Sequence, residues 1–317
     1  MVYEEIDKCK AIVREGSDSR IILIALIVIF VVTGLFVVYY LVSGIVDSAN
    51  VITKNNTILD EESAYVLPEK TEVEPKKIDF QTMVDNWAKN IDSNKGVLIY
   101  DLDRNEVVAE YNPNQSFATA SLYKLFVVYE GYRRIERGEW KEDGVAGSTG
   151  HTISECLDLA VRESNSDCAE TLRQMMGYDK LEKIVADDFG TTDTSVEDLV
   201  STPNDITKIM KRFYDHPDIS DEKLIAKMKD SFLNQPITEY NWRQGLPSGF
   251  SDAVNVYNKV GWAYNDEEKV WDIYNDAAII EFSVKNRHFV VVVMTNKVPY
   301  QQIRKLGTMI EEEFNKY

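Results

Sequence analysis

The sequence predicts an α+β domain preceded by a single membrane-spanning helix. Three observations carry this. Residues 21–46 contain no charged side chain. Beyond them, strand-like segments lie only near the two ends of the remaining chain, at 96–111 and 254–294. Between these, from Ser154 to Phe232, apolar residues recur with helical spacing. Strands, a mostly helical middle and strands again form one domain when the N- and C-terminal strands share a single antiparallel sheet.

The apolar run Ile21–Val46 is 26 residues long. As a helix it spans about 39 Å, enough to cross a hydrocarbon core of ~30 Å with tilt. It is longer than the apolar core of a secretory signal, and no small-x-small cleavage pattern follows it. Lys8, Lys10, Arg14 and Arg20 precede the run, and only Lys54 lies in the 20 residues after it. The expected topology keeps residues 1–20 in the cytoplasm and puts the rest outside. Residues 47–77, with Asp60, Glu61, Glu62, Pro68 and Pro75 and little periodic apolar signal, read as an acidic linker. The folded domain is expected over 78–317.

Within it, Phe80, Met83, Trp87 and Ile91 share one helical face. Gly96–Tyr100 and Glu106–Tyr111 read as strands joined by an Asp-Arg-Asn turn. Leu122, Leu125, Phe126 and Tyr129 follow the i, i+3, i+4, i+7 spacing of a buried helical face. After the helical middle, Val254–Val260, Asp276–Phe282 and Phe289–Met294 read as strands. Ile303, Leu306, Ile310 and Phe314 mark a closing helix.

The chain has 317 residues and a formal net charge of −18. That balance argues against nucleic acid and anionic lipid surfaces as main partners. The histidines His151, His216 and His288 have no metal-ligand spacing, so no metal and no cofactor is expected. Cys9 falls on the cytoplasmic side. Cys156 and Cys168, 12 positions apart in apparent helices, can pair in principle, but read as two buried free thiols; neither disulfide-framework nor zinc spacing is present.

Three segments carry chemistry. Ser121 and Lys124, three apart at the start of an amphipathic helix, can meet on one side of it. A serine hydroxyl needs a neighbouring base, and a lysine serves when burial lowers its pKa. Ser164-Asn165-Ser166 lies between two helical patterns, where small polar groups can point into a cleft. Lys259-Val260-Gly261-Trp262 closes a strand; a glycine there allows close approach of a ligand to the backbone.

In this order the segments resemble the penicillin-recognising serine hydrolases, which comprise class A β-lactamases and D-alanyl-D-alanine peptidases and carry Ser-x-x-Lys, Ser-Asp-Asn and Lys-Thr-Gly. Thr202-Pro203-Asn204-Asp205-Ile206 and Gly245-Leu246-Pro247-Ser248-Gly249 resemble flanking turns of the same family. The resemblance implies a β-lactamase/transpeptidase-like fold over about residues 78–317. It implies Ser121 as the acylated nucleophile, Lys124 as its base, Ser164 as proton relay to the leaving nitrogen, and Lys259 as positive charge near Ser164 and the substrate carboxylate. The backbone N–H groups of Ser121 and Trp262 would form the oxyanion hole, with Ser166, Val260 and Gly261 also lining the substrate site.

This chain departs from the family in three places. Asn165 and Ser166 stand where the family has Asp and Asn; the register Ser166-Asp167-Cys168 keeps the Asp and loses the Asn, and the Ser164 register is preferred for its spacing to Gly177. Val260 replaces a hydroxyl-bearing residue. Only 25 residues separate Gly177 from Pro203, too few for the family's longer loop with its deacylating glutamate, and Glu197 in this segment reads as a solvent-facing acid. The expected activity is serine acyl hydrolysis or transfer on β-lactams or D-Ala-type cell-wall peptides, outside a bacterial membrane. The alternative is a non-catalytic module of the same fold that binds cell-wall peptide.

Overall fold

The computed structural model describes residues 78–238 and 240–316. The expected membrane span at 21–46 and linker at 47–77 lie outside the described residues. Among the described residues no helix is long and apolar enough to cross a membrane.

Helix α1 (Phe80–Lys89) starts at Asp79, whose carboxylate caps the Thr82 N–H. Strands β1 (Lys95–Asp101) and β2 (Glu106–Tyr111) form a hairpin. The two-residue strand β3 (Phe117–Ala118) leads into a 3₁₀ turn, Ala120–Tyr123, that runs on into α2 (Lys124–Glu136). The helical middle comprises α3 (Ile153–Arg162), α4 (Ser166–Met176) and α5 (Tyr178–Asp187), then, after the short β4 (Val200–Ser201), α6 (Pro203–Asp215) and α7 (Glu222–Leu233). Strands β5 (Asn255–Asn265), β6 (Val270–Phe282) and β7 (Arg287–Thr295) precede the terminal helix α8 (Tyr300–Phe314).

The main sheet is five-stranded and antiparallel, in the order β2-β1-β7-β6-β5. The N- and C-terminal strands therefore share one sheet, as the sequence predicts. Alternation along β7 shows how the core is split. Phe289, Val291 and Val293 face α1 and α8, packing with Phe80, Trp87, Ile303 and Phe314. Val290, Val292 and Met294 face the helical middle, packing with residues such as Leu122 and Phe126. Each such side chain, fully buried, contributes about 1.5–3 kcal/mol. Burial on both faces explains why β7 is apolar without a break from Phe289 to Met294, with four consecutive valines.

One expectation is corrected. Cys156 on α3 and Cys168 on α4 are joined in a disulfide, not held as free thiols. The turn between the helices folds α4 back along α3, with Asn165 N–H donating to Leu159 O. Two cysteines on the facing, buried sides thereby come to a Cα separation of 4.8 Å. A cross-link closing a loop of this length contributes about 2–3 kcal/mol. The double substitution Cys156→Ala/Cys168→Ala is expected to lose that much in urea denaturation; an unchanged midpoint would mean that the sulfurs are not bonded.

Candidate active site

Ser121 sits in a turn held from two sides. Ahead of it, β3 pairs with β4, and Thr119 N–H donates to Leu199 O at 2.7 Å. From the sheet, the Asn275 side chain on β6 donates to Ala118 O at 2.8 Å and Thr119 O at 3.2 Å, while its own oxygen accepts the Thr295 N–H. These contacts hold Ala120 at φ +45°, a left-handed conformation that a side-chain-bearing residue adopts only when its surroundings impose it. The sequence predicts Ser121 at the start of an α-helix. The structure instead gives it a 3₁₀ turn, closed by Leu122 N–H on Thr119 O, with the α-helix beginning at Lys124. As an early residue of a helical turn, Ser121 keeps a backbone N–H that the turn does not use.

Strand β5 lies directly against this turn, and Gly261 is the reason it can. A Cβ at position 261 would stand 2.2 Å from Thr119 O and 2.9 Å from Leu122 Cγ. Across the ladder, Gly261 pairs with Asn275, so the residue that makes room and the residue that clamps the turn are neighbours. Trp262 follows Gly261 along the same edge strand.

Lys124 is 1% exposed. Its Nζ donates to Ser164 O at 2.5 Å and to Ser166 Oγ at 3.0 Å. Burial lowers its pKa to about 8. Lys259, equally buried, donates to Ser164 Oγ at 2.8 Å and to Val260 O at 2.8 Å. Burial and the charge of Lys124 push its pKa well below the ordinary lysine value, and Asp276 opposes them. The Asp276 carboxyl is itself pushed up to about 7 by burial, while hydrogen bonds from Asn258 Nδ2 and Leu246 N–H favour its ionised form.

Ser164 occupies the turn between α3 and α4, also left-handed at φ +58°. Both lysines thus converge on it, one at its carbonyl and one at its hydroxyl. Asn165 faces away from this role: its side chain caps α4 by accepting the Cys168 N–H. Ser166 Oγ stands beside Lys124. Ser121 Oγ makes no hydrogen bond among the described residues. Its neighbours open onto a cleft of about 480 Å³. Ser121, Ser164 and Ser166 form the polar side, and Val260 and Trp262 on β5 form the opposite wall. All eight residues singled out from the sequence therefore belong to this region; Lys124, Lys259 and Gly261 lie behind its surface.

Three groups were missed. Tyr240 and Trp242 roof the cleft from the segment after α7, their rings stacked at 4.9 Å, and Trp242 meets Trp262 edge-on at 5.7 Å. A tyrosine and a tryptophan two apart in polar sequence were the available signal. Glu163, exposed at the mouth, ends α3 beside the preferred serine. Asn275 and Asp276, two polar residues opening an apolar strand segment, are buried supports. Glu197 is exposed on the loop after α5, in agreement with its reading as a solvent-facing acid.

A family model described as the beta-lactamase enzyme family matches residues 79–314, and the chain belongs to that family. Among solved structures, a class A beta-lactamase from Bacteroides cellulosilyticus DSM 14838 is similar at 15% identity and a TM-score of 0.65, covering 77% of this chain and 100% of that one. A beta-lactamase from Chitinophaga pinensis DSM 2588 is similar at 15% identity and 0.63, with 74% and 97% covered. A PBP-A mutant in acyl-enzyme complex with penicillin G is similar at 15% and 0.61, with 74% and 96% covered. At these identities the likeness is one of fold. No curated protein matches the chain.

The close approach at Gly261 is directly testable. Gly261→Ala must displace either β5 or the Ser121 turn, and overpacking of this kind costs about 1–3 kcal/mol. Urea denaturation should show that loss; a variant as stable as the parent would mean that β5 does not bear on the turn.

Proposed function

We propose that this member of the beta-lactamase enzyme family is a serine acyl hydrolase or transferase that works through an acyl-enzyme on Ser121. The observation that carries the reading is the convergence of two buried lysines on the Ser164 turn at the cleft that Ser121 lines. The Ser164 relay and Lys259 are brought from distant parts of the chain to Lys124, which lies three residues after Ser121.

The steps follow from the groups present. Neutral Lys124 accepts the Ser121 Oγ proton as the oxygen attacks the acyl carbon. The tetrahedral oxyanion takes the backbone N–H groups of Ser121 and Trp262, one on the turn and one on the strand that pack together at Gly261. The carbon–nitrogen bond then breaks. Ser164 passes its hydroxyl proton to the leaving nitrogen and is reprotonated from the lysine pair. With Glu197 exposed on the loop after α5 and no loop glutamate assigned, hydrolysis on this reading falls to the same lysine, which must activate a water. The acyl-enzyme is therefore long-lived. This favours a peptidase or transferase acting on D-Ala-type cell-wall peptides, with β-lactams as slowly cleared acylating agents, over an efficient β-lactamase. The mutant PBP-A held as a penicillin G acyl-enzyme is of the same fold. A site outside the membrane is supported by the apolar run at 21–46, by the basic residues before it, and by the disulfide, since disulfides persist in oxidising compartments.

Intact-protein mass after incubation with penicillin G tests the reading. A stable adduct is expected on the parent chain and none on Ser121→Ala at unchanged melting temperature. Tight penicillin binding without an adduct would favour the non-catalytic module instead. The pH dependence is a second check. Lys124 must be unprotonated to act, so the acylation rate should rise through about pH 8 and level off above it, with about one-tenth of the maximum at pH 7. A rate still climbing through pH 10 would point to a base with the ordinary lysine pKa.

A further inference from the structure

The cleft wall carries an inference about substrate class, which rests on the Ser121 reading. Cleft-lining residues include no lysine or arginine among the described residues, and the acid Glu163 stands at the mouth. Lys259 lies behind the surface with its donors on Ser164 Oγ and Val260 O. Lys124 donates to Ser164 O and Ser166 Oγ, and Arg243 donates to Phe232 O, Asn258 Oδ1 and Val256 O. Val260 offers no hydroxyl. A substrate carboxylate entering here would lose its hydration against a lining that presents no lysine or arginine, with a negative group beside it.

What the wall does offer is aromatic surface. Tyr240 stacks on Trp242, Trp242 meets Trp262, and Trp262 stacks on Tyr300 at 5.6 Å. Tyr240 is 38% exposed, which leaves ring surface open at the cleft. Rings fixed against one another form a rigid platform, and an apolar or aromatic group placed on it gains contact area at little entropic cost.

We propose that the site takes acyl donors without a free carboxylate: neutral amides, lactams or esters whose leaving portion is uncharged and whose apolar or aromatic group lies on Tyr240, Trp242 and Trp262. For a cell-wall peptide this means an internal or amidated bond instead of one ending in a terminal acid. The covalent step is unchanged. Ser121 Oγ gives its proton to Lys124 and bonds to the acyl carbon, the bond from that carbon to nitrogen (to oxygen in an ester) breaks, and the leaving atom takes a proton through Ser164.

The test compares second-order acylation of the full chain by penicillin G and by its methyl ester, each divided by its rate of hydroxide hydrolysis to remove intrinsic reactivity. The ester should be favoured by about tenfold, the scale of one unpaired charge–donor contact. Val260→Thr should narrow that ratio by raising the rate for the free acid. Tyr240→Ala should lower the rate for the ester severalfold at unchanged melting temperature, and Tyr240→Phe should restore it. A free acid that reacts faster than its ester overturns the proposal. So does labelling of Ser121 by a fluorophosphonate when neither penicillin reacts. Absence of all labelling, fluorophosphonate included, removes the Ser121 reading itself, and the two failures are thus distinguishable.

Discussion

The site depends on one contact, the packing of an edge strand against the turn that carries Ser121. A strand and a helical turn approach this closely only where one side lacks a side chain. Here Gly261 leaves no Cβ to strike Thr119 O, and Asn275 opposite it ties down the carbonyls of Ala118 and Thr119. Much else follows from that distance. Lys259 lies two residues before the glycine and reaches Ser164; Trp262 lies one after it and lines the cleft. The left-handed Ala120 is a consequence too, since the turn must bend sharply to meet the strand and still enter α2.

The electrostatics have the same origin. Packing this tight removes water from both lysines, yet their ammonium partners are carbonyl and hydroxyl oxygens, not carboxylates. Desolvation lowers both pKa values, and at Lys259 the charge of Lys124 adds to it while Asp276 only partly offsets it. The buried Asp276 carboxyl behind this wall is tied up by Asn258 and the Leu246 N–H. The polar half of the cleft is therefore populated by groups poised to exchange protons, and its other half by rings that carry no charge.

Much of this was legible in the sequence because it rests on local periodicity. Strand and helix patterns in Gly96–Tyr111 and Val254–Met294 follow from alternation and burial, and the Ser121–Lys124 spacing survives the replacement of an α-turn by a 3₁₀ turn. What was not legible depends on distant contacts. No spacing rule shows that Cys156 and Cys168 face each other, since that is set by the reversal at Ser164. Asn275 reads as an ordinary polar strand residue until the carbonyls it serves are placed beside it. Tyr240 and Trp242 come from a segment without regular structure, so no pattern aims them. The apolar run at 21–46, the strongest compositional signal in the chain and the expected membrane span, lies outside the described residues.

The strand order has a consequence for biosynthesis. β7, the last strand to be made, sits in the middle of the sheet between β1 and β6. Every side chain of the cleft is already synthesised when the ribosome reaches Trp262, but the N-terminal hairpin and the β5–β6 pair cannot join until residues 287–295 are inserted between them. Contacts of such sequence separation form late and slowly. The nascent chain thus carries Ser121 and both lysines for some time before the sheet that packs them together is complete.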